Sequence, residues 1–377
     1  MLERLRPLLW PLILVLLAAV LYRARVQREM ADFEVYRTAA TRALAGEPLY
    51  RVDDGHYRFK YLPIFALVTA PLALVDREAA KAIWFALSAG LLTAFLRWSV
   101  RALPERRRSD RVLLLLTMLF MAKFYAHELL LGQTNIVLGA LLVGSLLAVQ
   151  IDQPITAGVL IGAAAFVKPY ALLLLPWLAF TYGMVPLAAA VGVLTAGLVA
   201  PAALYGWSGN IQQLVAWYRT VTTTTEGNLL GADNISLAAM WAKWLGIGTA
   251  ASVLATLTTG AVLGLVAVVW LQRQRSVEPE YLEVSLLMLL IPLISPQGWD
   301  YVLLLATPAV IALLDRWADV PVGWRLYTMA ALSLMGLTIY DLMGRVNYAR
   351  FMSMSLVTVA ALALAYALSN LRRRGLA

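Results

Sequence analysis

Residues 111–150 read RVLLLLTMLFMAKFYAHELLLGQTNIVLGALLVGSLLAVQ, which is two apolar runs separated by a short polar stretch. The runs at 111–126 and 135–150 are typical of membrane helices, although each is shorter than the ~20 residues of a straight span. The stretch from His127 to Asn135 between them carries imidazole, carboxylate and amide groups. This pattern predicts two membrane helices whose polar connection lies at one membrane surface.

The same pattern recurs along the whole chain. Of the 377 residues, 61% are hydrophobic and 14% charged, and the mean hydropathy is +0.74. Because a soluble chain carries about 25% charged residues, this composition excludes a soluble globular protein. We predict an all-α integral membrane protein, a polytopic bundle of about 12 transmembrane helices forming one domain over residues 1–377. The predicted helices are 8–22, 79–98, 111–126, 135–150, 155–167, 170–182, 184–205, 249–271, 281–294, 299–314, 325–341 and 352–370.

Two apolar segments each allow more than one interpretation. Residues 1–21 have the basic start and apolar run of a signal peptide, but no small-residue cleavage site follows, so we interpret 8–22 as a retained first helix. Residues 61–75 are apolar but contain two prolines over only 15 residues. That length favours an interfacial or re-entrant helix over a full span.

Arginine clusters predict the orientation. The net charge of +9 is concentrated beside apolar segments, at 101–111, 273–275, 316–325 and 372–374. Cytoplasmic loops are rich in Lys and Arg, and an even number of predicted helices separates these clusters. The cluster at 23–28 is the one exception. Because this placement requires no anionic polymer, nucleic-acid binding is a poor interpretation of the charge.

With this topology the polar chemistry gathers on the non-cytoplasmic side of the plasma (inner) membrane. That side receives a first external loop at 23–78 with interfacial helices, a second large loop at 206–248, and the shorter stretches 127–135, 295–300 and 341–350. A scaffold has no need for such segregation, whereas an enzyme with one external active site does. The sequence therefore favours a membrane-embedded enzyme.

Asp32 is the candidate catalytic base, about ten residues past the first predicted helix. A carboxylate that loses solvation beside an aromatic at a membrane surface has a raised pKa, which suits general-base chemistry. The structural alternative is an N-cap of a helix from Phe33 to Ala45 that ends at Gly46. Both interpretations stay open from the residues alone.

The candidate binding residues combine amides, carboxylates, aromatic rings and cations, a set that suits a sugar and an anionic group. Each has a structural alternative: the aromatic belt of membrane proteins, helix capping, or snorkelling of a lysine to the surface. Histidine occurs only twice in the chain, so we expect no histidine-based metal site. These candidates are Tyr36, Tyr50, Lys60, Tyr61, His127, Gln133, Asn135, Lys168, Asn234, Ser236, Trp299 and Asp300.

The motifs follow one another in a specific order. They are Asp32-Phe-x-x-Tyr36, Gly46-x-Pro-Leu-Tyr50, Tyr61-x-Pro63 with Pro71-Leu72, Gly132-Gln-x-Asn135, Ala157-Gly-x-x-x-Gly162 with Lys168, Asn234-x-Ser-Leu237 and Ser295-Pro-x-x-Trp299-Asp-Tyr301. This order resembles glycosyltransferase family 87, the polyprenol-phosphate-mannose-dependent α-1,2-mannosyltransferases of the C-type superfamily. The resemblance covers residues 31–301.

The resemblance implies a C-type glycosyltransferase architecture and a lipid-phosphate-linked sugar, mannose, as donor. It implies that Asp32 deprotonates an acceptor hydroxyl of a glycolipid or glycan, which attacks the anomeric carbon with inversion. Lys168 and the outer arginines are candidates to hold the phosphate of this donor, which is embedded among the membrane lipids. The resemblance implies no cofactor and no metal. Family members often show paired histidines where Asp300 and Tyr301 stand here, which leaves the acceptor and the sugar open. The alternative from another class is a transporter or flippase of lipid-linked sugar.

Overall fold

A computed structural model describes residues 19–275 and 278–373. Residues 8–18 of the predicted first helix lie outside this range, and residues 19–24 are helical. No β-strand occurs within the described ranges, and their one isolated β-bridge joins Asn234 to Trp299. The predicted all-α class is confirmed.

The described helices follow the apolar runs of the sequence closely. They are α1 (Ala31–Leu44), α2 (Pro63–Val68), α3 (Arg77–Arg101), α4 (Asp110–Leu131), α5 (Asn135–Gln150), α6 (Pro154–Val167), α7 (Leu174–Tyr182), α8 (Met184–Val199), α9 (Ala202–Leu229), α10 (Leu237–Leu245), α11 (Thr249–Leu271), α12 (Glu280–Ile294), α13 (Thr307–Asp315), α14 (Val322–Gly336), α15 (Tyr340–Ser353) and α16 (Leu356–Arg373). Short 3-10 segments connect several of them, notably Val52–Tyr57, Ala70–Ala73, Pro169–Leu173 and Asp300–Ala306.

Within the part of the chain that the structure describes, three helices, α3, α4 and α11, are long and apolar enough to cross a membrane. The number is five if the bent pairs α8–α9 and α14–α15 each count as one span. Other apolar helices, such as α5 and α6, are only 10–17 residues long. Twelve spans and the C-type architecture therefore stay predictions.

Two predicted helices are wrong as single elements. The helix predicted at 184–205 ends at Val199, and α9 leaves at 90° to α8. Pro201 lies at this break and Gly206 has φ +65°, so neither supports a straight helix. The helix predicted at 325–341 likewise ends at Gly336, and α15 leaves at 99°.

Two other segments are divided into short helical pieces. Residues 61–75 form α2 and the 3-10 turn Ala70–Ala73, each far too short to cross a bilayer. At Lys168 the backbone is extended, with φ −147° and ψ 125°, because the following proline disfavours the helical region. The chain around Lys168 is therefore two separate helical pieces and not one kinked helix.

The predicted arginine clusters meet at one end of the bundle, which we call the basic end (residues 101–111, 273–283, 315–319 and Arg372). The Arg107 amide donates to the Asp315 carboxylate at 3.0 Å. Arg372 pairs with Glu283 at 3.1 Å. The Tyr281 hydroxyl donates to the Ser99 carbonyl at 2.9 Å, which ties these two groups together.

The other end of the same helices carries the polar loops. The 22-residue helix α4 starts beside the basic cluster and ends at Leu131, about 33 Å away at 1.5 Å per residue. At the centre, α12, the 3-10 segment Asp300–Ala306 and α13 are almost entirely buried. Their connection, Ser295 to Trp299, is thereby held rigidly at the polar end, which we call the cavity end.

Candidate active site

A cavity of about 460 Å³ opens at the cavity end. Its walls come from segments far apart in sequence, namely 31–36, 56–62, 127–133, 166–170, 217–221, Asp233 and 297–301. The volume is within the usual range for small-molecule sites. Of the predicted site residues, the cavity is lined by Asp32, Tyr36, Lys60, Tyr61, His127, Gln133, Lys168 and Trp299.

Helix α1 is docked on the α4–α5 connection, and this contact positions Asp32. The Met30 amide donates to the Leu130 carbonyl at 2.9 Å. Gly132 has φ +68°, and a Cβ there would lie 2.9 Å from the Cβ of Phe33. The Trp84 indole donates to the Gly132 carbonyl at 2.8 Å. Glycine at 132 thus permits both the turn and the close approach of α1.

Asp32 lies in the first turn of α1 and does not cap it. The N-cap position is Met30, and no side chain caps this helix. Burial raises the pKa of the Asp32 carboxyl, and a hydrogen bond from Gln133 and the charges of Lys168 and Lys60 oppose that rise. The capping interpretation is wrong, while the expected loss of solvation is present.

Gln133 organises the floor of the cavity. Its Oε1 accepts hydrogen bonds from the Tyr36 hydroxyl at 3.1 Å and the Tyr61 hydroxyl at 3.4 Å. Its Nε2 donates to the Tyr301 hydroxyl at 3.2 Å. Burial raises the pKa of Tyr36 and of Tyr61, so both phenols stay protonated and can donate. The network fixes the amide next to Asp32.

Two lysines contribute positive charge to the cavity. The Lys60 Nζ donates to Gln297 Oε1 at 3.2 Å. The Lys168 Nζ lies 6.0 Å from the centroid of the Tyr301 ring. Among the residues that the structure describes, neither lysine forms an ion pair with a carboxylate. Burial lowers the pKa of Lys60, against the opposing charge of Asp32.

A second polar wall combines an imidazole with two carboxylates. His127 Nδ1 lies 3.5 Å from Asp300 Oδ1, and its ring packs edge-on against Tyr301. The Asp300 amide donates to the Asp233 carbonyl at 2.9 Å. Burial, followed by the neighbouring Asp300, raises the pKa of Asp233. This wall adds hydrogen-bond acceptors to the cavity.

Five predicted site residues lie behind the cavity lining and support it. The Asn135 amide donates to Glu128 Oε2 at 2.7 Å. The Tyr50 hydroxyl donates to the Tyr61 carbonyl at 2.6 Å. Asp300 is buried beneath His127. The structure gives Asn135, Tyr50 and Asp300 supporting positions and no direct exposure to the cavity.

Asn234 and Ser236 hold the late loop in place. The Asn234 amide donates to the Pro296 carbonyl at 2.9 Å. The Ser236 hydroxyl accepts from the Ala239 amide at 3.0 Å and so caps α10. Both side chains form hydrogen bonds with main-chain atoms, as the capping alternative predicts.

Four residues at this site were not among the candidates from the sequence, namely Glu128, Arg58, Tyr170 and Gln297. Glu128 is buried, and its Oε1 accepts from the Ile136 amide at 3.0 Å at the start of α5. Its signal was available, because an ionisable residue inside an apolar run is a functional or structural hypothesis by default. Arg58, Tyr170 and Gln297 also line the cavity, but nothing in their local sequence distinguishes them.

The described residues contain no group of three or more His, Asp or Glu side chains arranged to hold a metal ion. The polar groups that are present can accept a proton, hold an anion and bind hydroxyls.

A comparison with protein families gives one match. The model of "Glycosyltransferase family 87" matches residues 59–296, well over half of the chain. Neither the curated proteins nor the solved structures contain a match to this chain. The matched region includes Lys60, Gln133, Lys168 and most of the cavity wall, whereas Asp32 lies before it.

Proposed function

The chain belongs to glycosyltransferase family 87, a family of membrane glycosyltransferases, and we propose that its donor is a polyprenyl-phosphate-linked sugar, mannose. The acceptor is a hydroxyl of a glycolipid or glycan at the non-cytoplasmic face of the plasma membrane. The transporter or flippase alternative is not favoured by the family match.

The observation that carries this proposal is that the Asp32 carboxylate lines one cavity together with Lys60 and Lys168. Asp32, with its raised pKa, is suited to accept a proton from the acceptor hydroxyl. The acceptor oxygen then bonds to the anomeric carbon while the bond from that carbon to the phosphate oxygen breaks, which inverts the configuration. The polyprenyl phosphate leaves as an anion, and Lys60 and Lys168 stabilise its charge.

Helix α9 supports a lipid-linked donor. Trp207, Ile211, Val215 and Tyr218 form an exposed apolar stripe along one side of α9. Trp217, on a neighbouring side of this helix, lines the cavity. Since α9 leaves the apolar helix α8 at 90°, the stripe suits a helix lying in the membrane interface. A lipid tail in the bilayer would then lie beside the cavity that receives its phosphate.

The charge distribution supports the external location of the site. The basic end carries four of the five arginine clusters, all but the one at 23–28, and such clusters are cytoplasmic in most membrane proteins. The cavity lies at the opposite end of α4. We therefore assign the cavity to the non-cytoplasmic face.

The proposal is tested by transfer from radiolabelled polyprenyl-phosphate-mannose to membrane glycolipid or glycan, with the protein in nanodiscs. Asp32→Asn removes the base and keeps the shape, so we expect transfer to fall by about 10²–10⁴-fold. Asp53→Asn is the matched control, because Asp53 is an exposed aspartate in the same external loop. It should transfer like the wild type.

Equal loss in both variants would remove Asp32 from the role of base. Absence of turnover by the wild type with this and with other lipid-linked sugars would overturn the donor assignment.

A further inference from the structure

A second cavity of about 350 Å³ lies along the outer face of α1. Ala31, Glu34, Val35, Thr38 and Arg42 line one wall, and their spacing places them on one face of the helix. Asp54, Tyr57 and Phe59 of the first external loop form the other wall. We call this cavity the α1 groove.

The α1 groove adjoins the cavity that contains Asp32. Ala31, Val35 and Tyr57 line both. Asp32 follows Ala31 on the same helix and faces the main cavity. From Ala31 to Arg42 the helix rises about 16 Å, so the groove extends well beyond the length of one sugar ring.

The charges in the α1 groove are already neutralised within the protein. Arg42 binds both carboxylate oxygens of Asp54, at 2.6 and 2.7 Å. Glu34 lies 2.8 Å from Arg77 and 3.1 Å from Lys81. Because Arg42, the cation that lines the groove, is already bound to a carboxylate, the lining gives little electrostatic advantage to a phosphate or to another anion. Its occupant is therefore expected to be neutral.

The remaining groups of the α1 groove suit a saccharide. Tyr57 presents an exposed aromatic ring, and 57% of its surface is accessible. The Thr38 side chain is exposed, and Glu34, Arg42 and Asp54 have further oxygen and nitrogen atoms for hydroxyl groups. An aromatic face combined with fixed, paired polar groups binds a polyhydroxylated ring by its C–H face and its hydroxyls. A lipid tail would desolvate these charged groups without compensation.

We propose that the α1 groove binds the saccharide part of the acceptor, so that the preferred acceptor carries several sugar units and presents its terminal one to Asp32. This inference rests on the proposed transferase function. It goes further by assigning the donor phosphate to the lysines of the main cavity and the inner part of the acceptor glycan to the α1 groove.

The test measures binding of α-linked mannotriose and of free mannose to the full-length protein in nanodiscs. We expect the wild type to bind the trisaccharide about tenfold more tightly than the monosaccharide. Thr38→Trp fills the groove and should abolish that preference, and the smaller Thr38→Gln should weaken it. Thr41→Trp is the matched control, because Thr41 is an exposed threonine on the same helix outside the groove, and it should keep the preference.

Equal affinity of the wild type for both sugars would overturn the proposal, as would an unchanged preference in Thr38→Trp. Because binding is read without a donor, these outcomes are independent of the transfer assay. Failure of the proposed function appears instead as absence of Asp32-dependent turnover.

Discussion

The two ends of the molecule differ in whether their key charged side chains have ion-pair partners. At the basic end, Glu283 accepts from Arg372 and from the Trp177 indole and also pairs with Arg273. At the cavity end, Lys60 and Lys168 face open space without an ion-pair partner among the described residues. Buried or half-buried charges are costly unless paired.

This difference distinguishes charged groups that stabilise the fold from charged groups that are available to a ligand. The paired charges of the basic end satisfy one another and hold helix ends together, so they need no ligand. The lysines of the cavity end retain a desolvation cost that an anionic ligand would offset. We therefore expect substitutions at the basic end to change stability, and substitutions at the cavity end to change binding and transfer.

The largest expected effect is at the basic end. Glu283→Ala removes the buried carboxylate that Arg372, Arg273 and the Trp177 indole share, and we expect the free energy of unfolding to fall by about 3–5 kcal/mol. Reversible denaturation in detergent would measure this loss. Glu278→Ala, at an exposed glutamate of the same loop, should change stability by less than about 0.5 kcal/mol.

Transfer per folded molecule should be unchanged in Glu283→Ala. A stable variant with lost transfer would contradict the separation of the two ends.

The next effect concerns the contact that places Asp32. Gly132→Ala adds a Cβ 2.9 Å from the Phe33 Cβ at a position with φ +68°. Displacement of α1 by about 1 Å is expected to lower kcat by about 10²-fold. Gly46→Ala is a close control, since Gly46 has φ +67° and nothing within 4 Å of the added atom.

Both alanine variants should lose about 1–2 kcal/mol of stability from the backbone conformation. Only Gly132→Ala should lose transfer. Similar kcat values in the two variants would show that the docking of α1 does not govern the position of Asp32.

The smallest expected effect is a shift of the pH profile. The base must be deprotonated, and the pKa of Asp32 is raised above its ordinary 3.8, so the acid limb of kcat/KM lies above that value. Lys60 must be protonated, and its pKa is lowered below 10.5, so the alkaline limb lies below that value. Lys60→Arg should move the alkaline limb upward, because arginine stays charged. An unmoved limb would exclude Lys60 as its source.

The sequence predicted the straight helices well because apolar length is a local property. The helix expected at 249–271 has the bounds of α11, and the one expected at 135–150 has the bounds of α5. It did not predict the right-angle bend after α8, because the apolar composition continues through Pro201 into the following helix. Bends depend on single residues such as Pro201, and a hydropathy average over many residues does not detect them.

Most of the candidate cavity was also within reach of the sequence, although the roles of its residues stay predictions. Asp32, His127 and Gln133 were expected at one external surface, and they line one cavity. The bond from Lys60 to Gln297 joins residues 237 positions apart, so only the folded chain shows it. The sequence likewise could not show that the Asn234 amide, expected to bind substrate, donates to the Pro296 carbonyl.

The most direct test of the contrast between the two ends is the thermal stabilisation of the protein in nanodiscs by added polyprenyl phosphate. A ligand that binds the folded state at 100 times its Kd stabilises it by about 2.7 kcal/mol. The binding of phosphate by the lysines of the cavity end predicts this shift for the wild type and for Lys243→Gln, since Lys243 is a neighbouring cation already bound to the Ala232 and Asn234 carbonyls. It predicts loss of the shift in Lys168→Gln. An equal shift in Lys168→Gln, or none in the wild type, would contradict the claim that the lysines of the cavity end bind the phosphate of the donor.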